Sequence, residues 1–144
     1  MSRKILVAYD GSPLSRQAIE EAKQQAAIKQ GAEVYVIAVA RTSGPNTNVV
    51  VSRSIGNELA EHFHPQLEKI KQEFERLDIS IFMEVIVGDP NENPGKSICK
   101  FAEEQGIDLI IVGSRGLGNV KKIILGSVSN YVVQHSTSPI LIIK

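Results

Sequence analysis

Apolar and polar positions along this chain fall into two alternating textures. Four short runs are almost continuously apolar and rich in β-branched residues: Ile5-Leu6-Val7-Ala8-Tyr9, Val34-Tyr35-Val36-Ile37-Ala38-Val39, Leu109-Ile110-Ile111-Val112 and Ile140-Leu141-Ile142-Ile143. A fifth run, residues 79–87, is longer and partly alternating. Runs without polar alternation predict strands covered on both faces, which belong mainly to parallel sheets. Between the runs, apolar residues recur at three- and four-residue steps. Residues 13–30 carry Leu14, Ala18, Ala22 and Ala26 and stop before Gly31, and residues 54–77 carry Leu59, Phe63, Leu67, Ile70, Phe74 and Leu77. Shorter helices are expected over 94–105 and 127–134, the latter with Val128, Tyr131, Val132 and His135 along one stripe.

The predicted order is β-α-β-α-β-α-β-α-β. With right-handed crossovers this makes an α/β fold, an open, doubly wound five-stranded parallel sheet with helices on both faces. At 144 residues and 42% hydrophobic content the chain suits a single domain, 1–144, with one well-formed core. One connection, residues 41–53, is long and polar; a mobile functional loop and a tether both suit it.

Charge and targeting signals narrow the function. Sixteen basic residues balance sixteen acidic ones without long blocks of either sign, so neither nucleic acid nor an anionic membrane is an expected partner. The five residues from Ile5 to Tyr9 are too short for the apolar region of a signal peptide, and no stretch approaches the roughly 18 apolar residues of a membrane span. A cytoplasmic location is expected. The one cysteine, Cys99, has no disulfide partner and reads as a small residue on a helix face.

The candidate chemistry gathers near the C-terminus. Behind the run Leu109-Ile110-Ile111-Val112 come Gly113-Ser114-Arg115-Gly116, nine further residues, and then Gly126-Ser127. Glycines behind a buried strand let the backbone turn and approach a ligand, and a helix beginning at Ser127 presents unpaired N–H groups to an anion. Arg115, Lys121 and Lys122 could neutralise phosphate charge, although solvated lysines are the ordinary reading of the last two. Ser127, read as an N-cap hydroxyl, is aimed by geometry rather than carried on a flexible stem. Asp10-Gly11-Ser12-Pro13 follows the first strand. In open parallel sheets ligands sit beyond the carboxyl ends of strands where strand order reverses, so Asp10 faces the glycine cradle if the first and fourth strands are neighbours. Two readings of Asp10 stay open: contact with ligand hydroxyls or amines, and capping of the helix that starts at Pro13.

Several motifs are set aside. Gly95-Lys96-Ser97 imitates the end of a P-loop, but the position of its first glycine is Pro90, and Pro94 at the first turn of a helix explains the segment. His62 and His64 are two residues apart, which on a helix points them to different sides without a completing ligand. His135 reads as a residue favoured by the dipole at a helix end.

The residues now carry a resemblance. Ile5-Leu6-Val7-Ala8-Tyr9-Asp10-Gly11-Ser12, Val87-Gly88-Asp89-Pro90, and Asp108 through Gly116 with Gly126-Ser127 resemble the single-domain, ATP-binding type of universal stress protein, over nearly the whole chain. The resemblance implies strand order 3-2-1-4-5 and ATP between the first and fourth strands, with Mg or Mn carried on its phosphates. It implies that Asp10 contacts the ribose or adenine end, that Val39 meets adenine through its backbone, and that Gly113, Gly116, Gly126, Ser127 and Val128 hold the phosphates. Ala8, where many members have Pro, together with Val112 and Arg115 completes the candidate set. The turn from Gly88 to Ser97 is longer than the family pattern.

The expectation is therefore an ATP-binding, nucleotide-responsive stress regulator with at most slow turnover or autophosphorylation, since no clear catalytic base stands near the phosphates. A true ATPase or nucleotidyl-type transferase on the same fold, and a dimeric partner-binding scaffold without nucleotide, are the alternatives. The resemblance places the last strand, Ile140 to Ile143, at the rim of the sheet, where pairing with a second copy would cover it and make a homodimer.

Overall fold

Alternate residues of the strands feed two separate cores, one on each face of a single sheet. The computed structural model describes residues 2–40, 49–89, 91–114 and 125–144; the side chains of 49–60 and 62 lie outside that description. The elements run β1 (Lys4–Ala8), α1 (Pro13–Ile28), β2 (Glu33–Ala40), α2 (Val49–Arg76), β3 (Ser80–Val87), α3 (Pro94–Gln105), β4 (Leu109–Gly113), α4 (Ser127–His135) and β5 (Ile140–Ile143). The sheet order is β3-β2-β1-β4-β5 and every pairing is parallel. This is the expected 3-2-1-4-5 arrangement.

Ile5, Val7, Val34, Val36, Leu109 and Ile111 join α1 and α2 in one core, around Ile19, Ile70 and Phe74. Leu6, Tyr35, Ile37, Ile110 and Val112 join α3 and α4 in the other, around Ile98, Phe101 and Val132. A period of two thus places β-branched side chains on both faces, which is why these strands read as unbroken apolar runs. Each large aliphatic side chain buried this way stabilises the fold by about 1.5–3 kcal/mol relative to exposure.

Caps set the helix starts. Ser12 Oγ accepts from the Ser15 N–H at 3.2 Å with Pro13 in the first turn, and Asn93 Oδ1 accepts from the Gly95 N–H at 2.8 Å ahead of α3, where Pro94 occupies the first position. One helix start differs from expectation. The helix expected from residue 54 begins at Val49, so residues 49–53 of the polar connection are helical and residues 41–48 lie outside the described residues. α3 runs over Pro94–Gln105, as its pattern predicts.

Candidate functional site

β1 is the switch point of the sheet: the chain leaves it for β2 on one side, while β4 enters on the other. Beyond its carboxyl end the backbone turns through Asp10 and Gly11. Asp10 is half-buried and its Oδ1 accepts the Ser12 N–H at 2.9 Å, while Gly11 takes φ +84°, a left-handed conformation that glycine adopts without strain. Capping of α1 falls to the buried Ser12, so Asp10 braces the turn that leads into the cap. Tyr9, just before it, donates its hydroxyl to Gln66 Oε1 of α2 at 2.8 Å, and burial pushes the phenol pKa up, keeping the donor protonated.

Val39 flanks the crevice from β2. The Tyr9 N–H donates to the Ile37 carbonyl at 2.9 Å, so by strand alternation the peptide groups of Val39 also turn toward β1, past the point where that strand has ended. Ala8 is the half-buried last residue of β1. Val112 is buried in the core under α3 and α4, and Gly113 ends β4.

The far wall is the start of α4. The Ser114 carbonyl accepts the Gly126 N–H at 2.5 Å and the Ser129 hydroxyl at 3.0 Å, while the Ser114 N–H donates to the Ile143 carbonyl at 2.7 Å. The two ends of the connection between β4 and α4 are thereby fastened together. Gly126 is the N-cap of α4 and makes no side-chain capping bond; its carbonyl accepts the Asn130 N–H at 2.9 Å and the Ser129 hydroxyl at 3.2 Å. The expected N-cap role of Ser127 is corrected: the ladder already begins at the Gly126 carbonyl, which makes Ser127 the exposed first helical residue and Val128 the partly buried second. A helix opening on glycine leaves its first amides without a side-chain acceptor, and the positive end of its dipole faces the same way.

The structure therefore brings Ala8, Asp10, Val39, Val112, Gly113, Gly126, Ser127 and Val128 to the carboxyl end of the sheet. Arg115, Gly116, Lys121 and Lys122 lie outside the described residues. Three polar residues that build the wall were given no role by motif. Ser114, which stands within the glycine motif, and Ser129, three residues past Gly126, are buried fasteners. Asn93 precedes Pro94, a helix-start signal, yet its side-chain Nδ2 also reaches the Ser127 carbonyl at 3.2 Å.

The remaining candidates fall elsewhere. Cys99 is buried in α3, where burial pushes its thiol up and away from reactivity. His135 ends α4 and packs against Tyr131 with ring centroids 4.1 Å apart; His64 is exposed on α2, and the side chain of His62 lies outside the described residues. A separate groove of about 410 Å³ runs between α2 and the β3 edge, lined by His64, Leu67, Lys71, Phe82 and Glu84 among others. It stands apart from the crevice.

The strand order defines a doubly wound α/β protein in which the Asp10 turn and the start of α4 follow the carboxyl ends of the neighbouring strands β1 and β4. The chain belongs to the universal stress protein family, whose family model matches residues 1–144. It is 35% identical to universal stress protein YxiE of Bacillus subtilis, over 100% of each chain. It is 40% identical over 88 residues to universal stress protein MJ0577 of Methanocaldococcus jannaschii, a stretch spanning 61% of this chain and 52% of that protein. The solved structure of MJ0577 superposes with a TM-score of 0.83 at 32% identity, covering 100% of this chain and 96% of that one. The fold is also shared by a universal stress protein from Archaeoglobus fulgidus solved in complex with dAMP, with a TM-score of 0.63 at 20% identity over 100% and 98% of the two chains.

Proposed function

We propose that this chain binds an adenine nucleotide, ATP, in the crevice between the carboxyl ends of β1 and β4 and works as a nucleotide-responsive stress regulator. The observation that carries the reading is the start of α4: a glycine-capped helix that follows the carboxyl end of β4, while Asp10 follows the carboxyl end of the neighbouring β1, in a universal stress protein. Phosphates suit the amides of Ser127 and Val128, backed by the Gly113 and Gly126 turns, with Arg115 and Gly116 from the family pattern. The peptide groups of Val39 suit the edge of adenine, beside Ala8 and Val112. Asp10 suits ribose hydroxyls and is a poor phosphate ligand, because the charges repel. That the A. fulgidus protein was solved in complex with dAMP supports an adenine nucleotide as the class of ligand.

A Mg or Mn ion is assigned to the phosphates of the bound triphosphate, which together with water supply the oxygen ligands such an ion prefers. The carboxylate beside the crevice, Asp10, is occupied in bracing its own turn, which fits slow turnover at most. No helix among the described residues is long and apolar enough to cross a membrane.

The test is to denature the purified protein gently, identify released nucleotide by mass spectrometry, and titrate the emptied protein calorimetrically with ATP and magnesium. Stoichiometric ATP or ADP, or saturable ATP binding, is expected. Gly113→Val and Gly126→Val, which put side chains where the backbone must approach phosphate, are expected to remove binding while circular dichroism stays that of the parent. An empty protein that ignores ATP, or full affinity in both variants, overturns the reading.

A further inference from the structure

The amides at the start of α4 are aimed from behind. A peptide unit is planar and trans, so fixing its carbonyl fixes the direction of the N–H on its other side. The Gly126 carbonyl, paired through its peptide plane with the Ser127 N–H, is held by the Ser129 hydroxyl at 3.2 Å and the Asn130 N–H at 2.9 Å. The Ser127 carbonyl, paired in the same way with the Val128 N–H, accepts Asn93 Nδ2 at 3.2 Å. Asn93 belongs to a different element. Its Oδ1 caps α3 through the Gly95 N–H at 2.8 Å, so one amide side chain ties the starts of both helices together.

The neighbouring contacts keep that bridge short. Gly95 lets the first turn of α3 close on α4: a Cβ there would lie 2.8 Å from Tyr131 Cδ1 and 3.0 Å from Tyr131 Cβ. Just upstream, the Asp89 carboxylate accepts the Asn91 N–H at 2.8 Å, and Lys96 pairs with Glu92 at 2.8 Å, setting the approach to the cap.

We propose that Asn93 is a positioning residue for phosphate recognition: through the Ser127 carbonyl it orients the Val128 N–H, and so couples the extended turn between β3 and α3 to the affinity of the crevice for the triphosphate. The inference rests on the nucleotide-binding reading above. It goes beyond that reading by assigning a role to a residue outside the glycine pattern that touches no part of the ligand.

Substitution can separate the two jobs of Asn93. In Asn93→Ser the hydroxyl keeps the α3 cap, since Ser ranks with Asn at that position, but it stops one bond short of the Ser127 carbonyl. In Asn93→Asp the cap acceptor is kept and the donor is lost outright. Kd values for ATP and for adenosine are measured by competition against a fluorescent ATP analogue, with thermal melts on the same samples. Both variants are expected to melt within a few degrees of the parent. ATP binding is expected to weaken about fivefold in Asn93→Ser, the scale of one modest hydrogen bond, and more in Asn93→Asp, with adenosine affinity unchanged. Equal losses for ATP and adenosine, or no loss for either, overturn the inference and leave the nucleotide reading intact. Failure of the parent protein itself to bind ATP removes both.

Discussion

Asp10, Gly11 and Ser12 divide the work of one turn. Gly11 supplies the left-handed φ, the Asp10 carboxylate holds the Ser12 N–H, and the Ser12 hydroxyl caps α1. From the linear pattern Asp10 carried two readings because Asp and Ser are both cap formers. The spatial positions of their acceptors separate them. A comparable economy governs Gly95. Its missing side chain is what lets α3 meet α4, so Gly95→Ala forces Tyr131 or the helix to shift and is expected to cost about 1–3 kcal/mol in chemical denaturation, the range for overpacking. An unchanged denaturation midpoint would show that the two helices separate at little cost. The buried Ser114 and Ser129 could not be found by spacing, because a serine near a glycine turn is ordinary, and only the fold brings one hydroxyl to both the Ser114 and Gly126 carbonyls.

At the scale of elements, α2 shows how tertiary burial overrides local rules. Pro65 stands inside it at an exposed position, where one ladder bond is forfeited, yet Leu67, Ile70 and Phe74 beyond it are almost completely buried against the sheet. α2 is also tied to α1 by charge. The Glu73 carboxylate takes both terminal nitrogens of Arg16 and the Lys23 ammonium at 2.7 Å, and Glu20 pairs with Arg16 at 2.7 Å on the outside. Hydrogen bonding from Arg16 is the main reason that Glu73 is pulled down from its ordinary 4.5 to about 2. A folded-state value below the unfolded one adds stability above pH 4.5 that disappears as the pH falls through about 2. Allowing for solvent screening at Arg16, Glu73→Gln is expected to lower unfolding free energy by about 1–2 kcal/mol at neutral pH. Melting the variant and parent in parallel from pH 7 downward should show the gap closing below pH 4.5; a constant gap would mean that packing of Glu73, not its charge, holds the helices.

For the whole molecule, the two sheet edges differ. The Ile143 carbonyl accepts from Ser114 and the Pro139 carbonyl from Ile110, so by alternation the peptide groups of Ile140 and Ile142 face away from the sheet. Every side chain of β5 is apolar and partly exposed, whereas β3 at the other edge places Glu84 on its surface with Glu68 and Lys71 alongside. Charge protects an edge strand from pairing, and β5 has none. We propose that β5 pairs with β5 of a second copy to form a homodimer. Sedimentation at micromolar concentration is expected to give twice the 15.7 kDa of the chain, and a species of 15.7 kDa alone would remove the proposal.

Strand and helix types, their order and the two-faced burial of the sheet were already determined by the sequence, because period and β-branching report directly on which faces are covered. The glycine pattern between Gly113 and Gly126 likewise marked one end of the proposed site. The order of strands in the sheet followed from family resemblance rather than from periodicity, which carries no information on neighbours. The tertiary structure alone decided that the N-cap of α4 is Gly126 rather than Ser127, that helix reaches back to Val49, and that Asn93 joins α3 to α4. The α4 start and the Asn93 bridge depend on where a carbonyl or an amide from a distant segment comes to rest, and hydrogen bonds between segments 34 residues apart leave no mark on local pattern.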